Sequence, residues 1–163
     1  NSRSRYLYGL DLNADWNGFD LRVLFQGVGK RDWYPSGYRF FGIYLAPWGN
    51  VYENNLDHWT PENPDAYFPR LKSYLANGNG DMSTEQTRYL QNAAYLRLKN
   101  VTFGYSVPKA LLQKTKLEHV RIYFSGENLF EATPLCRNFD PEQLDDSTHP
   151  LQRTFSIGLN ITL

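Results

Sequence analysis

The last stretch of the chain constrains it most: Phe155, Ile157, Leu159, Ile161 and Leu163 alternate without interruption with Thr154, Ser156, Gly158, Asn160 and Thr162. A period of two is that of a β-strand with one apolar and one polar face. The apolar members are bulky and the polar ones small and uncharged. Four upstream segments share the division. Leu10, Leu12, Ala14 and Trp16 oppose Gly9, Asp11, Asn13 and Asp15, and Phe19, Leu21, Val23 and Phe25 oppose Asp20, Arg22, Leu24 and Gln26. Val101, Phe103, Tyr105 and Val107 oppose Thr102, Gly104 and Ser106, while Val120, Ile122 and Phe124 oppose Arg121, Tyr123 and Ser125. A half-buried soluble sheet has the same alternation, so segment length, aromatic placement and loop order must separate it from a membrane wall.

No run approaches the roughly 18 apolar residues of a spanning helix, and the mean hydropathy of -0.58 excludes an α-helical membrane protein. A β-barrel escapes that test, because each spanning strand needs only about 9 to 11 residues and half of those face water. With 17 basic and 17 acidic residues there is no basic surplus to release phosphate counterions, which argues against broad nucleic-acid binding. The single cysteine, Cys136, permits neither an intrachain disulfide nor a thiolate metal cage. At 163 residues, and beginning on Asn1, the chain reads as a piece of a longer protein or a mature product.

Asn17-Gly18, between two alternating runs, predicts a type I′ hairpin over residues 6–28. A long excursion follows over about 29–94, with Tyr38 to Leu45 read as strand-like, one internal hairpin, and a short helical turn near Val51 to His58. Ser83 with Gln86 offers a capping box, but Thr87 to Ala94 fits an extended approach equally well. The next strand covers 95–107. Its early apolar positions, Leu96 and Leu98, are out of phase with Val101 to Val107, so either a bulge lies near Lys99 and Asn100 or the strand passes there from loop packing into the wall. Pro108 stops that strand and Lys109 to Lys116 makes a short connection. A strand at 118–128, a polar loop at about 129–150 and the terminal strand complete the order. Connections therefore run short, long, short, long, as in outer-membrane barrels with short periplasmic turns and long outer loops. Five to seven strands leave two bare edges and enclose no lumen, so the remaining wall is expected from elsewhere.

The segments "YLRLKNVTFGYSVPKALL" (Tyr95 to Leu112), "VRIYFSGENLF" (Val120 to Phe130), "DPE" (Asp140 to Glu142) and "QRTFSIGLNITL" (Gln152 to Leu163) together resemble the C-terminal end of SusC/RagA-like TonB-dependent outer-membrane transporters. "WTPENPDAYFPRL" (Trp59 to Leu71) resembles that family's long late loop, and "NADWNGFDLRVLFQGVGKRD" (Asn13 to Asp32) its preceding hairpin. The family usually ends on Phe, where Leu163 stands here. The resemblance implies an all-β fold, with residues 1–163 forming the C-terminal strands of an antiparallel transmembrane barrel of about 22 strands. It implies a non-enzymatic importer of oligosaccharides or peptides in a Bacteroidota-type outer membrane, with its C-terminus on the periplasmic side. The implied partners are a SusD-like surface lipoprotein, TonB acting through an N-terminal plug that these residues lack, the rest of the barrel, and outer-membrane lipid.

Trp33, Tyr34, Tyr38, Trp48 and Tyr52 lie in or beside the long excursion and are the candidates for contact with substrate or with a lid, since rigid aromatic faces suit both. The alternative is that they join the outer girdle or fill the loop's own small core. Trp16, beside the tight turn, reads as a girdle residue. Pro61, Pro64 and Pro69 make Trp59 to Pro69 a rigid brace, and Asp140-Pro141-Glu142 a turn. Asn77, Asn79 and Asp81 resemble the start of a calcium loop but lack its bidentate glutamate. His58, His119 and His149 are scattered without zinc-site spacing. No nucleophile elbow, P-loop or dinucleotide fingerprint occurs, and no cofactor is expected. The inward charges Asp11, Asp15, Asp20 and Arg22 are expected to pair with one another or with plug residues. A soluble β-sandwich that binds carbohydrate through exposed aromatics is the competing fold, and a glycan-processing enzyme ranks last.

Overall fold

In a computed structural model the protein is described at residues 3–46, 48–72, 84–113, 117–145 and 148–163. It divides into two compact units. One is a five-stranded antiparallel sheet in the order β1-β2-β5-β6-β7, built from β1 (Tyr6–Trp16), β2 (Phe19–Gly29), β5 (Tyr95–Ser106), β6 (His119–Ala132) and β7 (Thr154–Thr162). The other is a loop unit of residues 1–4, 30–93 and 134–150. Among the described residues no helix is long and apolar enough to cross a membrane.

The predicted hairpin forms with the expected turn. Asn17 and Gly18 both take positive φ, 49° and 86°, which turns β1 tightly onto β2 with Trp16 opposite Phe19. The predicted bulge is also present. Leu24 pairs with Asn100 and Phe25 with Leu98, so Lys99 is the extra residue on β5. That one-residue slip returns Leu96 and Leu98 to the face that carries Val101 and Phe103.

β6 runs four residues past its predicted end. Asn128 takes φ 52°, and the ladder resumes with Leu98 opposite Phe130, leaving Asn128 and Leu129 as a bulge on this strand too. The bulge interrupts the alternation, which is why periodicity ends the strand early. Pro108 terminates β5 as expected, and a single helical turn, α2 (Lys109–Leu112), follows it.

The register sorts the side chains into rows. Trp16, Phe19, Tyr105, Ile122 and Leu159 lie side by side, followed by Ala14, Leu21, Phe103, Phe124 and Ile157, and then by Leu12, Val23, Val101, Gly126 and Phe155. Leu10, Phe25, Leu98 and Phe130 continue the same face. Arg22, Thr102, Ser125 and Ser156 form a row on the other. Directly opposed residues share a face, so Phe103 and Phe155 lie on one surface and Arg22, Arg121 and Ser156 on its reverse. The apolar face is exposed: Phe155 at 62%, Ile157 at 82% and Leu159 at 56%. A soluble sandwich buries that face under a second sheet. Here the second sheet is only β3 (Asp32–Trp33) paired with β4 (Gln91–Asn92).

Two expectations for the excursion are corrected. Tyr38 to Leu45 is not a strand but one helical turn, α1 (Tyr38–Phe41), continued as a 3-10 turn over Gly42–Tyr44. Its three buried aromatics, Phe40, Phe41 and Tyr44, have the spacing of a helix and not of a pleat. Among the described residues no internal hairpin occurs, and the β3–β4 pair joins the two ends of the excursion. The predicted helical turn near Val51 to His58 is present as a 3-10 turn at Glu53–Leu56. Ser83 of the proposed capping box, and the Asn77, Asn79 and Asp81 calcium motif, lie outside the described residues.

Candidate functional site

The loop unit is organised by aromatic packing. Phe40, Phe41, Tyr44, Phe68, Tyr89, Leu135 and Phe139 form its buried cluster. Phe68 stacks on Tyr44 and on Tyr89 at 5.6 Å each, and Phe41 meets Tyr89 edge-on at 5.4 Å. Such pairs each add about 0.5–1.5 kcal/mol beyond area burial. Polar anchors tie the segments together. The buried Asn55 donates through Nδ2 to Phe40 O at 2.8 Å and accepts at Oδ1 from the Tyr52 N–H at 3.1 Å. Asn138 donates to Asn54 Oδ1 at 2.6 Å, and the Tyr44 hydroxyl to Pro69 O at 2.7 Å. Burial pushes the Tyr44, Tyr67 and Tyr89 hydroxyls above the usual phenol range, so they are neutral at physiological pH.

The five predicted aromatics divide. Trp33 packs edge-on against Phe139 at 4.7 Å, and Tyr34 leans on Phe41 while its hydroxyl donates to Thr84 O at 2.7 Å. Both therefore pack against the loop unit's core. Tyr38, at the start of α1, and Trp48 are exposed at 49% and 74%. Tyr52 is half-buried at the head of the 3-10 turn.

Sequence reasoning missed the pairs of residues that build the core, Phe40-Phe41 and Tyr67-Phe68, and the signal was available. Two adjacent bulky aromatics in a polar, proline-rich stretch need a common interior.

The Trp59 to Pro69 brace folds around one carboxylate. Asp57 accepts from Asn63 Nδ2 at 3.0 Å and from the Tyr67 N–H at 3.2 Å, while Thr60 and Asn63 close a tight turn. Trp59 N–H donates to Phe68 O at 2.9 Å. Beside this brace lie two adjoining clefts of about 360 and 310 Å³, sharing Trp59 and Arg70. The Asp140 turn closes as predicted, with Glu142 N–H donating to Asp140 Oδ1 at 2.9 Å.

On the polar face of the sheet one expected mutual pair, Asp11 with Arg22, is present, while Asp20 pairs instead with Arg121. Arg22 binds Asp11 at 2.6 Å, Arg97 pairs with Glu131, and Arg121 reaches across β5 to Asp20 at 2.5 and 2.9 Å. Gly104 permits the last of these. A Cβ there would collide with Asp20 Oδ1 and lie 2.6 Å from Arg121 Nη2. Arg121 also lies 5.0 Å over the Tyr123 ring, which in turn covers Gly158. Ions and rings thus lie flat on this face.

Cys136 is partly buried, and burial raises its thiol. Among the described residues no three metal-ligating side chains converge.

An open antiparallel sheet with exposed bulky apolar residues on one face and ion pairs on the other has the geometry of a barrel wall. The chain is 28% identical over 175 residues to TonB-dependent receptor P3 of Formosa agariphila, an alignment that covers 96% of this chain. It is 25% identical over 170 residues to TonB-dependent receptor P26 of the same organism. The chain is homologous to TonB-dependent receptors.

It spans 16% and 17% of the length of those two relatives. Among solved structures it superposes on the RagAB peptide importer in its closed-closed state with a TM-score of 0.73 at 25% identity, covering 95% of this chain and 17% of that one. The open-open state of the same importer gives 0.71 at 24% identity. No family model matches. TonB-dependent transporter homologues are not enzymes, and homology to these receptors implies the outer membrane.

Proposed function

We propose that these residues are wall and outer loops of a TonB-dependent importer of SusC/RagA type, in a closed barrel of about 22 strands. The observation that carries this is the apolar face: Leu12, Phe19, Leu21, Phe103, Ile122, Phe124, Phe130, Phe155, Ile157 and Leu159 lie on one surface of the sheet and are exposed. Two residues of strand advance about 6.6 Å, or about 5 Å along the barrel axis at a tilt near 40°. Five such steps separate the row of Val120 and Ile161 from that of Leu96 and Ala132. The apolar band is therefore about 25 Å tall, the height of such a band in outer-membrane barrels.

The register supports an orientation. The Asn17-Gly18 turn and the Pro108 connection leave one end of the sheet and the two long connections the other, so the short end, with Trp16 and the C-terminus, faces the periplasm. The loop unit then lies outside, where it meets an oligosaccharide or peptide nutrient and a SusD-like surface lipoprotein. Tyr38 and Trp48 supply exposed aromatic contact, Trp33 and Tyr34 brace the loop beneath them, and Tyr52 fixes its 3-10 turn. TonB engages through a plug contributed by the rest of the polypeptide. A Bacteroidota source fits the SusC-like pattern.

The test is made on the intact polypeptide carrying this segment. Recovery from outer membranes only with detergent, heat-dependent migration on gels, and loss of labelled nutrient uptake on deletion of residues 30–93 are expected. Extraction by alkaline carbonate would overturn the membrane assignment.

A further inference from the structure

Two arginines and a tryptophan converge at a place that neither the wall nor the aromatic core accounts for. The larger cleft beside the Trp59 brace is lined by Trp59, Phe68, Pro69, Arg70, Arg88 and Tyr89, and the smaller continues from Trp59 and Arg70 to Pro61 and Leu71. Its floor is rigid, because Phe68 and Tyr89 are stacked and buried. Trp59 is 37% exposed, and its backbone is held by Phe68 O.

Arg88 is fixed in orientation by donating Nε to Tyr67 O at 2.9 Å and Nη2 to Ala66 O at 2.6 Å. Both acceptors are neutral carbonyls, so its charge is uncompensated by them. Arg70 is exposed on the other side and makes no ion pair among the described residues. Asp57, an exposed carboxylate just ahead of this brace, accepts from Asn63 Nδ2 and the Tyr67 N–H and is not among the lining residues. Glu62 and Asp65 lie on the exposed outer turn and are not among the lining residues. The cleft is thus a cationic rim on an apolar, aromatic floor. A guanidinium fork matches a carboxylate in geometry and charge, and an indole face matches the flat side of a sugar ring or a peptide unit.

We propose that the Trp59–Arg70 cleft is a binding subsite for a ligand bearing a carboxylate beside a flat, weakly polar surface. This rests on the importer reading and assigns its cargo a charge. Two sources have that chemistry: a peptide with a free C-terminus and a uronic-acid oligosaccharide.

The experiment is calorimetric titration of the intact transporter in detergent with four probes: tetra-alanine and its C-terminal amide, and trigalacturonate and its methyl ester. One acid is expected to bind about tenfold or more tighter than its neutral counterpart, the factor of a charge-assisted hydrogen bond, and which acid does so names the source. Arg70→Gln is expected to abolish that preference, and Trp59→Ala to weaken acid and neutral forms alike. Equal binding of acid and neutral probes, a preference that survives Arg70→Gln, or no binding of either acid would each overturn the subsite. Heat-dependent migration of the same samples is read in parallel. A variant that retains it while losing binding speaks to the cleft, and an intact protein that lacks it speaks against the importer itself.

Discussion

Val101 stands on the middle strand of the sheet, between Val23 and Gly126, near mid-height of the apolar band. Val101→Arg separates a lipid-facing surface from a water-facing one by magnitude. In a bilayer an arginine at the midplane of a barrel's lipid face costs about 2–4 kcal/mol, falling to about 0–1 kcal/mol near either interface. On a water-exposed sheet the same change lies within about 0.5 kcal/mol of neutral, away from special features. Ile161, opposite Val120 in the outermost row, is the rim control, so Ile161→Arg is expected to cost at most about 1 kcal/mol. Thr102→Arg, on the polar face beside Ser125, controls for side-chain bulk. The assay is denaturant unfolding of the intact protein in lipid vesicles, followed by heat-dependent gel migration. A cost at position 101 no larger than at 161 would refute the lipid-facing assignment, whatever the absolute values.

Gly104→Ala is expected to destabilise the barrel by about 1–3 kcal/mol, because its methyl group occupies the path of the Asp20–Arg121 pair. Arg121→Ala added to that background should then cost little more; full additivity in a double-mutant cycle would show that the pair does not pass over Gly104. Buried Tyr44 and Tyr89 and half-buried Tyr67 are held above their unfolded-state pKa, so their contribution is complete below about pH 10 and is lost as pH rises beyond it. Near-ultraviolet circular dichroism should report loop-unit melting above that pH with the far-ultraviolet sheet signal retained, and an unchanged aromatic signal at pH 12 would contradict this. Cys136, with its thiol raised by burial, should be alkylated more slowly than free cysteine at every pH below 9; an equal rate would mean that the site is open.

The wall was legible because each of its determinants is local. Alternation fixes the face, Asn17-Gly18 fixes the turn, and the phase error between Leu98 and Val101 discloses a bulge without any knowledge of the neighbouring strand. The second bulge, at Asn128 and Leu129, was hidden because "SGENLF" carries no apolar residue out of phase before the break. The loop unit was legible only in outline. Tyr38 to Leu45 has a residue mixture that suits either a pleat or a helical turn, and what decides it is the cluster that Phe40 and Phe41 enter with Phe68, Tyr89 and Phe139, drawn from segments up to a hundred residues apart. The exposed and packed members of the aromatic set differ by the same tertiary fact: Trp33 finds Phe139, and Trp48 remains exposed.

The most direct test of the wall is a cysteine scan of β7, residue by residue from Thr154 to Thr162, in a Cys136→Ser background of the intact protein in vesicles. Each position is labelled with a spin probe and read for contact with a lipid-dissolved and a water-dissolved relaxant. Phe155, Ile157, Leu159 and Ile161 are expected to respond to the lipid-phase relaxant, and Ser156, Gly158 and Asn160 to the aqueous one, with a strict period of two. Uniform response to the aqueous relaxant along the strand would contradict the barrel wall.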